Sequence, residues 1–267
     1  IFYVTEGEGP NLLLLHGFPT SSHDWTHIWA GLTKHYRVIA PDFIGYGFSD
    51  KPVRYEYSIP DQADLVYGLL EELGISETGI LAHDFGDTVA QELLARRLED
   101  RGPEIQYCAL LNGGLFSEAQ RPRLIQRLLM SPLGSYLGVR ISEKAFNRNF
   151  SAIFGKHTKP SVAELLDFWR LIQHNDGLRV YHKLIRYIQE RKDNRDRWVN
   201  ALQQARCPLR FINGPEDPVS GIHMARRYRE LIADPDVVNL DGIGHYPQTE
   251  APDAPLEAFL EFAKRAG

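Results

Sequence analysis

An aspartate stands where a strand-like run meets a helix-like run in Leu81-Ala82-His83-Asp84-Phe85-Gly86-Asp87-Thr88. A carboxylate with an ordinary pKa of about 3.9 is ionised at neutral pH and is a nucleophile without help from a base. Attack on an ester would give a mixed anhydride, whereas attack on the sp³ carbon of an epoxide or alkyl halide gives an ordinary ester. A histidine is then free to deprotonate the water that hydrolyses that ester. His245 in Leu240-Asp241-Gly242-Ile243-Gly244-His245-Tyr246-Pro247 offers that base. Asp217 in Phe211-Ile212-Asn213-Gly214-Pro215-Glu216-Asp217-Pro218 offers an acid to orient it, with Glu216 the runner-up. Each residue also has a plain structural reading: Asp84 as a helix cap, Asp217 as a turn former, His245 as a satisfied surface histidine. His83 and Asp87 either tune Asp84 or are an edge histidine and a helix-start acid. Asn112 carries no charge and is no alternative acid.

His16-Gly17-Phe18-Pro19 is either a tight turn or half of an oxyanion hole, in which the Phe18 N–H joins the Phe85 N–H. Placing these groups together requires particular elements. Ile1–Thr5, Asn11–Leu15, Arg37–Ala40, Gly79–Ala82, Ile105–Leu111, Leu209–Ile212 and Val237–Leu240 read as strands. Helical patterns at 24–33, 59–73, 85–98, 221–232 and 253–265 alternate with them, which predicts a mostly parallel sheet with helices on both faces. Ile1–Thr5 reads as a hairpin feeding the next strand. Ala82 and Gly86 are small enough to let the chain pinch at Asp84. From Glu118 to Ala205 amphipathic pieces replace strands, so 118–205 reads as a helical cap and 1–117 with 206–267 as the core.

The chain of 267 residues is 43% hydrophobic and 24% charged, with a formal net charge of −5, enough for a buried core in one domain. The 30 Lys and Arg are scattered among 35 acids, so neither nucleic acid nor anionic lipid is an expected partner. No membrane association is evident, because the best apolar run, Leu12–Leu15, is strand-sized. Cys108 and Cys207 read as buried apolar residues rather than a disulfide or zinc site. The proposed chemistry requires neither metal nor organic cofactor, and no HExxH or glycine-rich nucleotide motif occurs. The expected partner is a small apolar molecule, the expected state monomer or homodimer, and the expected compartment the cytoplasm unless an upstream segment directs otherwise.

HGFPTSSHDW, DFIGYGFSDKP, HDFGDTVAQEL and GHYPQTEAP resemble α/β-hydrolases of the epoxide hydrolase and haloalkane dehalogenase type. HGFPTSSHDW, LNGGLFSEAQRP, HNDGL and RWVNAL are similar, more narrowly, to the mesoderm-specific transcript family of vertebrates and its bacterial relatives. The resemblance implies an α/β-hydrolase fold with a helical cap inserted after the sixth core strand. The order Asp84, Asp217, His245 is then the triad order of that fold. Haloalkane dehalogenases cradle halide with an indole after the nucleophile and often an Asn amide in the first motif; here Phe85 and Phe18 take those places and have no side-chain donor. Fluoroacetate dehalogenases carry arginines where Phe85 and Thr88 stand. Epoxide hydrolases supply a cap tyrosine to protonate the leaving oxygen, and the cap offers Tyr187, Tyr181 and Tyr136, with Tyr187 favoured and Tyr181 the alternative. The expected function is hydrolysis of an apolar epoxide through a covalent alkyl-enzyme ester. The alternatives are a haloalkane dehalogenase, a lipid or ester acyl-processing hydrolase, and a non-catalytic ligand-binding protein of the same fold.

Overall fold

Leucines 12 to 15 are buried throughout, and alternate side chains enter different cores. Leu12 and Leu14 belong to one apolar cluster with Trp25, Ile28, Phe259 and Phe262, while Leu13 and Leu15 belong to another with Ile80, Val89 and Met224. A strand covered on both faces reads as a continuous apolar run rather than an alternating one. The computed structural model describes residues 1–267 and contains strands β1 (Tyr3–Glu6), β2 (Asn11–Leu15), β3 (Arg37–Pro41), β4 (Glu77–His83), β5 (Glu104–Leu111), β6 (Leu209–Asn213) and β7 (Val237–Asn239). Their order is β1-β3-β2-β4-β5-β6-β7, with β1 antiparallel and every other pairing parallel.

The helices are α1 (Thr26–Leu32), α2 (Ile59–Glu72), α3 (Phe85–Leu98), α4 (Leu124–Met130), α5 (Gly134–Gly138), α6 (Glu143–Ser151), α7 (Val162–Gln173), α8 (Tyr181–Leu184), α9 (Tyr187–Asp193), α10 (Arg195–Gln203), α11 (Ile222–Leu231), α12 (Pro247–Glu250) and α13 (Asp253–Ala266). Leu32 of α1 and Phe259 of α13 belong to one core, and Val66 of α2, Val89 of α3 and Met224 of α11 to the other. The mostly parallel, helix-flanked sheet is the architecture expected. No helix is long and apolar enough to cross a membrane. Cys108 is buried in β5, Cys207 is half-buried, and both are free thiols.

Two expectations are corrected. β1 does not form a hairpin with β2: it pairs with β3, Tyr3 opposite Pro41 and Glu6 opposite Val38. β2 instead takes parallel partners on both edges, β3 and β4. The exposed β1 is left to the sheet rim, and the connection crosses the turn before β3. A Cβ at Gly7, whose φ is +86°, would fall 2.2 Å from the Tyr36 carbonyl oxygen, so this crossing needs glycine. The helical insertion follows the fifth strand, β5, not a sixth, because the chain ahead of β2 supplies a single strand.

Between β5 and β6 there are only helices, α4 to α10. α10 lies along α3 of the core. Glu92 of α3 accepts hydrogen bonds from Arg96, from Arg197 and from Trp198 Nε1 at 2.9 Å, and Gln91 Nε2 donates to the Trp198 carbonyl at 3.2 Å. This carboxylate, largely buried and met by three donors, fastens the insertion's return to the sheet's helical layer.

Candidate active site

β4 ends at His83 and α3 begins at Phe85, so Asp84 alone makes the turn, at φ 45° and ψ −99°. A non-glycine residue held at positive φ stores about 1–3 kcal/mol of strain, which neighbouring packing must sustain. Gly86 sustains it: its N–H donates to the His16 carbonyl at 2.9 Å, and a Cβ there would sit 2.1 Å from the Leu15 carbonyl oxygen. Gly86→Ala is therefore expected to destabilise the fold by about 2–3 kcal/mol by forcing α3 away from β2. A urea midpoint equal to that of the parent would show that the turn has slack. The Asp84 side chain makes no helix-cap hydrogen bond, so capping is not its role.

His245, in the loop after β7, donates from Nδ1 to Asp217 Oδ2 at 2.7 Å, and its Nε2 lies 3.9 Å from Asp84 Oδ2. Asp217 is held by the Val219 N–H at 2.7 Å, the Ser220 N–H at 3.0 Å, the Ser220 hydroxyl at 2.7 Å and the Asn112 amide at 3.2 Å. Burial would raise its pKa, but the His245 charge and these donors hold it below the usual carboxylate range. Glu216 is exposed and accepts from the Lys156 N–H instead of facing His245. Burial would lower the His245 pKa, yet Asp217 and Asp84 raise it to about 10. At Asp84 the penalty of burial is likewise outweighed, by His245 and by Arg191, and the carboxyl is held well below its ordinary value.

The Phe18 N–H points at Asp84 Oδ2 at 3.3 Å, and Phe85 opens α3, so its N–H has no acceptor within the helix. No hydrogen bond joins the Phe85 N–H to the carboxylate. His16 shapes this wall: its Nδ1 meets the Gly17 carbonyl at 2.8 Å and its Nε2 accepts the Phe43 N–H at 3.1 Å. Burial lowers its pKa, so it stands there as neutral imidazole. His83 touches the site indirectly, through a 2.8 Å contact from Nε2 to the His245 carbonyl that fixes the histidine loop. Asp87 is fully buried, and burial together with the Asp84 charge favours its neutral form.

From the insertion, α9 brings two groups onto Asp84. Tyr187 Oη donates to Oδ2 at 3.3 Å, and its pKa is raised by burial and the Asp84 charge, which keeps the phenol protonated. Arg191 Nη2 donates to the Asp84 carbonyl oxygen at 2.7 Å and to Oδ1 at 3.3 Å, while its Nε reaches Thr88 Oγ1 at 2.7 Å. The guanidinium also lies 4.5 Å from the Tyr187 ring centroid. Tyr181 packs its ring on Phe18 at 5.0 Å and lines the cavity, whereas Tyr136 is 58% exposed and stands away from the site. The cavity over Asp84 and His245 has a volume of about 100 Å³, and its walls include Leu129, Phe146, Phe150 and Ile153. The lining is mostly apolar, with Asp84, His245 and Arg123 as its charged groups and Gln126 and Asn149 as polar ones.

Sequence reasoning missed Arg191 and Ser220, and it set Asn112 aside as an alternative acid without seeing that its amide holds Asp217. Asn112 had a legible signal in its place directly after β5, level with the end of β4. Its φ is 44°, and its amide bridges Gly214 and Asp217.

The alpha/beta hydrolase fold model matches residues 10–252. The mesoderm-specific transcript protein of Mus musculus is 44% identical over 263 residues, covering 94% of this chain and 78% of that protein. Among solved structures, the epoxide hydrolase CorEH superposes with a TM-score of 0.81 at 20% identity, covering 99% of this chain and 95% of that one. The haloalkane dehalogenase DbeA from Bradyrhizobium elkani superposes with a TM-score of 0.82 at 24% identity, covering 99% and 94%. With the family model spanning nearly the whole sequence and a close relative covering core and insertion alike, the chain belongs to the α/β hydrolase fold family, in the group that holds the mesoderm-specific transcript proteins.

Proposed function

We propose that this protein is a hydrolase that opens an apolar epoxide by attack of Asp84, with residues 118–205 acting as the cap over the site. The observation that carries the reading is the phenol of Tyr187, 3.3 Å from the carboxylate on the side of the cap. In this reading Asp84 attacks an epoxide carbon, the C–O bond breaks, and Tyr187 gives its proton to the alkoxide, with Tyr181, the phenol that lines the cavity, the alternative donor. His245, freed of its proton as Tyr187 is restored, takes one from water while Asp217 holds the ring. Hydroxide adds to the Asp84 ester carbonyl, the Phe18 and Phe85 N–H groups stabilise the oxyanion, and the ester C–O bond then breaks. The departing alkoxide takes the proton of the added hydroxyl, so the diol leaves, Asp84 is again a carboxylate and His245 is again protonated.

Charge balance supports the same order. Asp84, Arg191, His245 and Asp217 form a buried set of two anions and two cations, and forming the ester removes one anion. His245 then loses one of the two carboxylates that raise its pKa and turns from acid to base. Epoxide opening consumes the proton it sheds, whereas a departing halide takes none. The side chains at positions 85 and 18 offer halide no hydrogen bond either.

The test uses His245→Gln, incubated with panels of alkyl and aryl epoxides and of haloalkanes, followed by intact-mass and peptide analysis. An adduct of epoxide mass on Asp84 is expected, because the water step is stalled. Labelling by haloalkanes alone would move the assignment to dehalogenation, and labelling by neither would end the alkyl-ester reading.

A further inference from the structure

Between Ala119 and Ser142 the chain carries Arg121, Arg123, Arg127 and Arg140 and no Asp or Glu, within a protein whose formal net charge is −5. None of these four arginines forms an ion pair, whereas Arg96, Arg195, Arg197, Arg210 and Arg227 are all tied to carboxylates. The same stretch exposes large apolar side chains: Leu124 is 73% exposed, Leu133 66% and Tyr136 58%, with Leu128 and Val139 also exposed. Leu124 and Leu128 are four residues apart on α4 and so share a face. Leu129 of the same helix is buried, and with Ile125 it lines the cavity over Asp84. Arg140 lies 3.7 Å from the Tyr136 ring centroid, a basic and aromatic pair.

Apolar side chains standing free among unpaired arginines complement a surface in which acyl chains lie beneath anionic headgroups. We infer that α4 and α5, with the turn between them, dock this protein on an anionic lipid bilayer. The inner side of α4, through Ile125 and Leu129, walls the cavity over Asp84, so docking would bring that cavity close to the bilayer. The inference stands apart from the epoxide reading, since docking needs no chemistry at Asp84.

Vesicle flotation tests it, with phosphatidylcholine vesicles and with phosphatidylcholine–phosphatidylserine vesicles, on the full chain. The parent protein is expected to float with the anionic vesicles, less with the neutral ones, and less as salt is added. Arg121→Gln with Arg127→Gln should lower partitioning by about fivefold per arginine. Leu124→Ser with Leu133→Ser should lower it by about tenfold or more. All four positions are solvent-facing, so thermal unfolding should be unchanged. Failure of the parent to float, or flotation of both double variants at its level, overturns the inference. So does a parent dimer in size-exclusion chromatography that the leucine pair dissociates, because the face would then belong to a second copy of the chain.

Discussion

Asp84→Asn is expected to lower turnover by about ten-thousand-fold or more, the scale seen when a covalent nucleophile is lost while the pocket is kept. The substitution preserves shape, so the Phe18 N–H and the Tyr187 phenol keep an acceptor, but the amide oxygen is no longer an ionised nucleophile. Turnover at the parent rate would remove Asp84 from the chemistry. The same variant tests the electrostatics through stability. The folded-state pKa of Asp84 is depressed, so its contribution is present above the ordinary carboxylate range and is lost as pH falls below it. That of His245 is raised from 6.5 to about 10, so its contribution is complete below 6.5 and is lost as pH rises toward 10. With Asp84 replaced, only Asp217 supports the imidazolium. Urea midpoints taken across this range should then show an alkaline loss that is smaller and complete at lower pH. Identical alkaline profiles for variant and parent would mean that Asp84 and His245 are not coupled.

What could be read before the structure was whatever depends on local pattern. Phe85–Leu98 is helical over the residues its sequence implied, and Asp84 was legible because the small residues Ala82 and Gly86 bracket it. Features set by distant partners were not legible. β1 looked like half of a hairpin because the chain between it and β2 is short. β2 takes both neighbours from elsewhere, and no local signal records that competition. Arg121, Arg123, Arg127 and Arg140, in and beside α4 and α5, vanish in a whole-chain charge count that mixes 30 bases with 35 acids, and a search for long apolar runs passes over leucines spaced along a helix face. Arg191 sits in Gln189-Glu190-Arg191-Lys192-Asp193, a charge run that reads as a solvated face. Only the fold brings it to a residue 107 positions earlier.

Arg191→Met is expected to destabilise the protein by about 3–5 kcal/mol, because it strips one partner from a buried ion pair and leaves the other charge behind. The side chain is 2% exposed and serves three acceptors at once, the Asp84 carboxylate, the Asp84 carbonyl and the Thr88 hydroxyl. It therefore ties α9 to the strained turn that presents Asp84, and Tyr187, one helical turn earlier on α9, depends on that tie for its place over the carboxylate. Losing Arg191 also removes a cation that holds the Asp84 carboxyl down, so its pKa rises and the acid limb of the kcat/KM profile should move to higher pH. Arg191→Lys separates charge from geometry. An ammonium restores the field but cannot span Thr88 and the Asp84 carbonyl together as the planar fork does. The lysine variant should recover the acid limb while kcat stays about a hundredfold below the parent, a loss of the size that misplaced reacting groups produce. Full recovery of kcat by lysine would reduce Arg191 to a source of positive charge. An unmoved acid limb in the methionine variant would show that His245 and the oxyanion wall hold Asp84 ionised without it.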